Sequence, residues 1–483
     1  MENVSKQNYF DIFKQTISYI PSKILVMIYT LIIVPLFANI LSIKEMSIYF
    51  IAIQVLNIIC TASSDWITKS ILRFHEKYTI KNKIEDFYSN LLWITSIAYA
   101  IVIFIYCILK NTIQTHLGFD TITFILTISL VVPCGLRQLL YQYLRVINKP
   151  LLYTISLLLY QTSFIGIFLI LAKSVPNAGS LLLAMNIAVI AVDLFVIKQT
   201  NFKIKFKTEI NSPMLKETIK YASPLILTNI CYWLVFHFSK LYFQNASLYT
   251  YTAIIGIFSL FAYNFIQPIG SVFAFASFPE LVSKYEHKLP INVYWTNIIQ
   301  LFIFCIFPLV LTFCYFYKDI TELLFPPEYH LGAIILPLLA TAAYIHEFLK
   351  LLTSKYHLKN KTYIEMIIAI LTTILAIILN IVLINKYAYI GAGSAILITE
   401  FLLVAINSCI KFKNFEYINF FKILKSTVII IILGLIVYGI VHFIFKAISM
   451  PSNAVEILIL DKIFLYIVLL YLACVIYKKQ ILK

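Results

Sequence analysis

Residues 61–74 read TASSDWITKSILRF and directly follow an apolar run, residues 47–60. Asp65, Lys69 and Arg73 are four residues apart, so an α-helix places them on one face. That face continues towards the N-terminus through three uncharged polar residues. These are Thr61, Asn57 and Gln54. In a helix that crosses a bilayer, such a stripe can line a water-filled cavity, because charge facing lipid is costly. The alternative is that the charged residues lie near the membrane surface, where they pair with one another and extend towards water.

The composition predicts a membrane protein. The chain has 483 residues, of which 61% are hydrophobic and 12% charged, and its mean hydropathy is +0.90. A soluble protein of this length needs far more charge to cover its surface. The apolar residues fall into fourteen blocks of about 20 residues, the length that spans about 30 Å of hydrocarbon. The blocks are roughly 17–40, 47–67, 87–109, 121–143, 150–172, 178–197, 218–240, 249–275, 291–317, 332–352, 362–385, 390–410, 423–446 and 456–477. We therefore predict an all-α protein with fourteen transmembrane helices and no removable signal peptide.

Lysine and arginine are distributed unevenly between the two sides of the predicted membrane. If the blocks cross it in turn, most of the 38 basic residues lie on the side that holds both termini. The other side keeps Lys44, Lys110, Lys173, Lys240, Lys318, Lys386, Lys446 and Lys462. This asymmetry follows the positive-inside rule and predicts that both termini face the cytoplasm. It also accounts for the net charge of +16 without a nucleic-acid partner.

The sequence holds no pattern for a metal, a cofactor or a disulfide framework. All eight cysteines lie inside apolar blocks, where they serve as small buried hydrophobes, and the eight histidines form no paired-ligand motif. The loops on the predicted outer side are too short for a catalytic domain and carry no acidic or arginine cluster. We expect no cofactor, no metal and no enzymatic activity.

Several short matches recur in order at a separation of 203 to 214 residues, which predicts an internal repeat. The matched positions are Pro21 with Pro224, Arg73 with Lys284, Arg145 with Lys355, and Ala178 with Ala392. Repeats separated by an even number of spans are parallel, as in many transporters. We predict a six-helix lobe at residues 1–200, a second at 201–415, and two appended helices at 416–483.

Two segments carry a resemblance to a known family. The first has Pro21 early in span one, the turn LSIKE at residues 41–45, and SILRF at residues 70–74. The second has LNIVLI at residues 379–384 and GAGSA at residues 391–395. Both resemble the polysaccharide-transport branch of the multidrug/oligosaccharidyl-lipid/polysaccharide exporter superfamily, the Wzx-type flippases of O-antigen and capsule repeat units. Where those flippases often have an Asp-Arg pair near the outer end of span seven, this chain has Ser239 and Lys240.

The resemblance implies a flippase of the bacterial inner membrane that moves undecaprenyl-diphosphate-linked oligosaccharide repeat units to the outer leaflet by alternating access. Its partners would be that lipid-linked oligosaccharide, the bilayer, and a polymerase and chain-length regulator of the same pathway. Three alternatives stay open: a cation-coupled multidrug exporter of the same superfamily, a lipid II flippase, and, least favoured, a polytopic enzyme that acts on the lipid carrier.

The resemblance also places spans one, two, seven and eight around the substrate. Span two offers the polar stripe from Gln54 to Arg73, and span eight, its repeat partner, offers a second stripe at similar helical steps. The candidate contacts on span eight are Tyr263, Asn264 and Gln267. Two polar stripes on repeat-related helices are what a hydrated passage between two lobes requires.

Basic residues near the predicted cytoplasmic ends of the spans are candidates for binding the diphosphate. A guanidinium can hold a phosphate through two parallel hydrogen bonds, and the chain has only three arginines. The candidates are Lys23, Arg73, Arg137 and Arg145. The alternative is that they bind anionic lipid headgroups or neighbouring helices.

Glu400, about ten residues into span twelve, is the deepest acid in the chain and a candidate for ion coupling. A carboxyl group at that depth is costly unless it is protonated or paired, which suits a group that couples transport to protons or cations. The other candidates are Asp65 and Asp193. The alternative is a structural pair, and His346 and Glu347 in span ten are expected to be satisfied locally by Lys350.

Overall fold

The computed structural model describes residues 20–147, 149–200, 212–286, 291–359, 361–410, 420–447 and 455–481. These residues form helices joined by short turns, and no strand occurs among them. The α-helices in chain order are α1 (Ile20–Ile40), α2 (Ile43–Cys60), α3 (Trp66–Ile80), α4 (Ile84–Ile108), α5 (Lys110–Leu117), α6 (Thr121–Ser129), α7 (Val131–Val146), α8 (Pro150–Ala172), α9 (Ala178–Thr200), α10 (Ser212–Asn245), α11 (Tyr249–Glu286), α12 (Asn292–Tyr315), α13 (Tyr317–Leu324), α14 (Ile335–Leu358), α15 (Thr362–Cys409), α16 (Phe420–Ala447) and α17 (Val455–Ile481).

Twelve helices of the described part are long and apolar enough to cross a membrane. One of them, α15, has 48 residues and turns at Ala388, whose φ of 48° and ψ of −127° are not helical. The turn separates the predicted spans eleven and twelve, and Gly391 packs against it so closely that a Cβ atom would lie 2.1 Å from the carbonyl oxygen of Leu383. The prediction of an all-helical multi-pass membrane protein is confirmed. The described residues of the fourteen apolar blocks are largely helical, and some blocks, such as 47–67 and 121–143, extend over two helices. That the chain crosses the membrane fourteen times stays a prediction.

Local sequence signals explain several helix boundaries. Ser42 caps α2 by accepting a hydrogen bond from the backbone nitrogen of Glu45 at 3.3 Å. Asp120 caps α6 in the same way, at 2.7 Å from the nitrogen of Thr123. Gly118 ends α5 with a φ of 71°, a left-handed conformation that suits glycine. These caps satisfy backbone groups that would otherwise be exposed at the ends of apolar segments.

The described residues fall into two compact units. The first contains the residues up to Gly256 together with Thr362–Asn380. Within it, α9 packs along α8 and also contacts α7, α6 and α2. Phe37 of α1 is buried there, with its ring 5.5 Å from Phe164 and 4.9 Å from Phe168 of α8. The division at 1–200, 201–415 and 416–483 rests on the sequence repeat and stays a prediction.

Helix α10 is attached to the rest of the first unit near both of its ends. Near its start, Glu217 accepts hydrogen bonds from Lys77 and from Tyr78, the latter at 2.8 Å. Burial and the hydrogen bond to Glu217 raise the pKa of Tyr78 to about 12, so its hydroxyl remains a donor at neutral pH. Near the other end, Gln244 Nε2 donates to the carbonyl oxygen of Leu117 at 2.8 Å. These contacts fix the position of α10 beside α3 and α5.

The second unit contains Ile257–Lys361 and the described residues from Ile381 onward. In it, α16 and α17 pack against each other and against α12. Tyr466 of α17 is fully buried, and its ring lies 5.1 Å from Phe316, 5.9 Å from Tyr315 and 6.5 Å from Tyr438. Aromatic packing therefore joins the two appended helices to the end of span nine.

A matched pair of glycine substitutions tests the packing of the first unit. A Cβ atom on Gly256 would lie 2.3 Å from the buried ring of Phe50, whereas nothing lies within 4 Å of a Cβ atom on Gly166. We expect Gly256→Ala to lower the melting temperature in detergent, because overpacking costs about 1–3 kcal/mol and exceeds the gain in helix propensity. Gly166→Ala should leave it unchanged or raise it. Equal stability of the two variants would contradict this packing.

Candidate functional site

The stretch TASSD in span two forms a π-helical turn, Thr61–Asp65, between α2 and α3. A π turn contains one residue more than an α turn, so it shifts the angular position of every residue that follows it. The polar stripe predicted from a regular spacing of four is therefore offset at this turn. Thr61 and Asp65 still meet, since Thr61 Oγ1 donates to Asp65 Oδ2 at 3.0 Å.

The serines of the π turn bind backbone carbonyls and a neighbouring helix. Ser63 Oγ donates to the carbonyl oxygen of Ile59 at 2.6 Å. Ser64 Oγ lies 3.0 Å from the carbonyl oxygen of Cys60 and 3.1 Å from Oε1 of Gln138 on α7. Such contacts satisfy backbone oxygens near the irregular turn. The small polar residues of the opening stretch thus hold span two against span four.

The other predicted residues of spans one and two lie in different environments. Gln54 is buried, and its Oε1 accepts no hydrogen bond from any described residue. Asn57 is exposed, and Lys23 on α1 is half-buried. Lys69 and Arg73 belong to α3, but their side chains lie outside the described part of the chain. Their contact with a substrate stays a prediction.

Arg137 points into the packed interior of the first unit. Its guanidinium carbon lies 4.1 Å from the centre of the Tyr160 ring, and Nη2 lies 3.8 Å from Sγ of Cys134. Asp193 on α9 is buried within electrostatic range of Arg137, yet its carboxylate accepts no hydrogen bond from the described residues. Arg137 of α7 is therefore packed on an aromatic ring of α8, with a buried acid of α9 within electrostatic range. It favours the interhelical interpretation of Arg137.

Arg145 lies two turns farther along α7 and is half-buried. Its Nη1 donates to Oε1 of Gln142 at 2.9 Å. On the same face, the ring of Tyr141 lies 5.0 Å from that of Tyr153 on α8. Arg145 is thus held close to its own helix, and its role in binding a diphosphate stays a prediction.

Glu400 is fully buried in the second unit. Its Oε1 lies 3.3 Å from Nδ1 of His346 on α14, and its Oε2 has no hydrogen-bond partner in the described part. Tyr263 of α11 is also within electrostatic range of Glu400. His346 thus has a partner on a neighbouring helix, and the expectation that Lys350 satisfies it locally stays a prediction.

Glu347 is also buried, but its main partner is local, as expected. Its Oε1 accepts a hydrogen bond from Lys350 Nζ at 2.6 Å, whereas Oε2 has no partner among the described residues. Gly270 makes room for it, since a Cβ atom at that position would lie 2.5 Å from Glu347 Cγ. The Pro-Ile-Gly motif of span eight therefore allows close contact with an acidic side chain. Gln267, one turn before Gly270 on α11, and Asn264, about two turns before it, are half-buried.

Two arrangements have little or no signal in the sequence alone. The pairing of His346 with Glu400 joins residues 54 positions apart on different helices. Lys240, counted in the sequence as an outer-side basic residue, is instead buried, with Nζ 3.1 Å from Nδ1 of His237. A histidine three residues before a lysine inside an apolar block was the only available hint. Among the described residues, no group of three His, Cys, Asp or Glu side chains could hold a metal ion.

Comparison with known proteins identifies the fold but no family. No protein-family model matches the chain, and no curated protein matches it. Among solved structures, it is similar to the lipid II flippase MurJ in an inward closed conformation, with 18% identity and a TM-score of 0.69 over 98% of this chain and 100% of the other.

Two further structures share the fold over a smaller part of the chain. One is a MOP superfamily transporter from Pyrococcus furiosus, with 10% identity and a TM-score of 0.56 over 82% of this chain and 94% of the other. The other is a multidrug resistance MATE family transporter in an inward-facing conformation, with 13% identity and a TM-score of 0.54 over 83% of this chain and 92% of the other. The chain thus has the fold of MOP superfamily transporters.

Proposed function

We propose that this protein is a flippase of the bacterial cytoplasmic membrane that moves a polyprenyl-diphosphate-linked oligosaccharide from the inner to the outer leaflet, with both termini in the cytoplasm. One observation carries the proposal: the fold similarity to a lipid II flippase extends over nearly the whole chain, whereas that to a multidrug transporter leaves about a sixth of it uncovered. The match in length favours a lipid-linked substrate. No enzymatic step is part of the proposal.

The branch of polysaccharide flippases is favoured by the sequence motifs of residues 41–45, 70–74 and 391–395. A lipid II flippase is the second candidate, because the fold similarity supports it equally. A multidrug exporter is the third. All three would move a substrate by alternating access, so the chemistry of the cargo distinguishes them.

The proposed path has one feature for each part of the cargo. The arginines at the cytoplasmic ends of spans two and four, Arg73 and Arg145 foremost, would bind the diphosphate as it enters. The polar residues of spans two and eight would accompany the glycan, because sugar hydroxyls and charge must avoid hydrocarbon. The polyprenyl tail would remain in the lipid. A polymerase and a chain-length regulator would act on the product at the outer face.

Ion coupling is assigned to the Glu400 cluster of the second unit. Glu400 has one carboxylate oxygen near His346 and one with no partner in the described part, so a proton or a small cation has a place to bind. Tyr263 is within electrostatic range of Glu400, and the pair formed by Glu347 and Lys350 lies on the same helix as His346. Asp193 and Asp65 are the corresponding candidates in the first unit.

Complementation tests the cargo. We expect the wild-type gene to restore surface polysaccharide in a strain that lacks a repeat-unit flippase. We expect it to restore neither growth in a strain depleted of its lipid II flippase nor drug resistance in an efflux-deficient strain. Arg73→Ala combined with Arg145→Ala should abolish the surface polysaccharide while the protein stays in the membrane, and exposed Lys173→Ala is the matched control. Full assembly in the double variant would refute the diphosphate assignment.

The coupling assignment predicts a change in pH dependence. Glu400→Gln mimics a permanently protonated carboxyl group, so transport should fall more at alkaline than at acidic pH if Glu400 carries a proton. The measurement is the uptake of a fluorescent lipid-diphosphate analogue across proteoliposomes at several pH values, with Glu365→Gln as a buried-acid control. An equal loss at every pH would leave Glu400 with a structural role only.

A further inference from the structure

Lys240 is a buried lysine inside a predicted membrane span. It lies near the C-terminal end of α10 and is 2% exposed. Its Nζ contacts Nδ1 of His237 at 3.1 Å, and no acidic side chain of the described part pairs with it. Buried charges are normally paired, because the loss of hydration must be offset. Lys240 therefore lacks the partner that its position demands.

The direction of the lysine side chain excludes the simplest explanation. A lysine close to a membrane surface usually extends its ammonium group towards that surface. Here the ammonium group contacts a residue one turn earlier in the helix, so it points back along α10, away from the nearby helix end. The contact holds the charge inside the span.

The two side chains that precede Lys240 on its face of α10, Trp233 and His237, carry hydrogen-bond donors, whereas one turn after it Gln244 Oε1 is a buried acceptor without a partner in the described part. An ammonium group can only donate, so in its contact with Lys240 a neutral His237 ring would accept at Nδ1 and carry its hydrogen on Nε2. The ring of Trp233, one turn earlier, lies 5.3 Å from that of His237, and its Nε1–H is buried with no acceptor among the described residues. Lys240 itself keeps further N–H groups. We call Trp233, His237 and Lys240 the donor face of α10.

We infer that the donor face binds an oxyanion of the phosphate type. One positive charge and several N–H donors match an anion that has several oxygens, and its arrival would give each of these buried groups a partner. The naming of the occupant as the diphosphate of a lipid-linked substrate rests on the proposed function. Because Lys240 lies near the predicted outer end of span seven, this site would hold the diphosphate after it has left the arginines of the cytoplasmic side.

Thermal unfolding with sodium pyrophosphate tests the site on the purified full-length protein in detergent. At matched ionic strength, we expect pyrophosphate to raise the melting temperature of the wild type by about 2 °C or more. Lys240→Met should abolish this rise and, without ligand, be at least as stable as the wild type, because it removes an unpaired buried charge. Lys173→Met, which changes an exposed lysine, should keep the full rise.

A second variant and two further ligands complete the test. Trp233→Phe removes one N–H donor and keeps an aromatic ring, so the rise in melting temperature with pyrophosphate should become smaller. This variant tests the site even if Lys240→Met fails to fold. Farnesyl diphosphate and phosphatidylglycerol are then tested separately, to distinguish a diphosphate carrier from a lipid headgroup as the source of the phosphate. With either ligand, a rise in melting temperature that requires Lys240 supports the site. An undiminished pyrophosphate effect in both variants, or none in the wild type, would overturn it. A failed complementation experiment with intact binding would refute the proposed function and leave the site in place.

Discussion

A polar group in hydrocarbon must find a partner, and this constraint governs the described structure. Most hydroxyl groups in the spans meet it by donating to a carbonyl oxygen one turn earlier, as Thr127 does to Thr123 at 2.7 Å. Lys355 meets it by donating to the carbonyl oxygens of Asn407 and Ile410 at the end of span twelve. Several buried groups of the described part do not meet it, and Gln54, Asp193, Trp233 and Glu400 are among them.

The sequence predicted those features of the fold that depend on hydrophobic length and on local chemistry. Blocks of about 20 apolar residues had to become helices, because a backbone in lipid can satisfy its hydrogen bonds only within itself or in a closed barrel. The turn between spans eleven and twelve was foreseeable from the hydropathy break before Gly391. Gly391 lies so close to Leu383 that a residue with a Cβ atom would clash there, which explains the glycine at this position.

The site was less predictable, because it depends on contacts between distant residues and on helix irregularities. A constant spacing of four predicted one stripe through Thr61 and Asp65, but the π turn offsets it, and a run of small polar residues in the sequence does not reveal that extra residue. The pairing of His346 with Glu400 required two helices to meet. Burial of Lys240 could not be inferred from its position near a span end, where a lysine ordinarily reaches the surface.

The central claim is that polar residues of span two face water inside the membrane. Asn57 and Ile374 are both exposed in the structure, so their reaction with a hydrophilic, membrane-impermeant maleimide compares the two environments directly. In a background without the native cysteines, we predict that Asn57→Cys is labelled and Ile374→Cys is not, because the thiol must ionise in water to react. Failure to label Asn57→Cys, or equal labelling of both positions, would contradict the account.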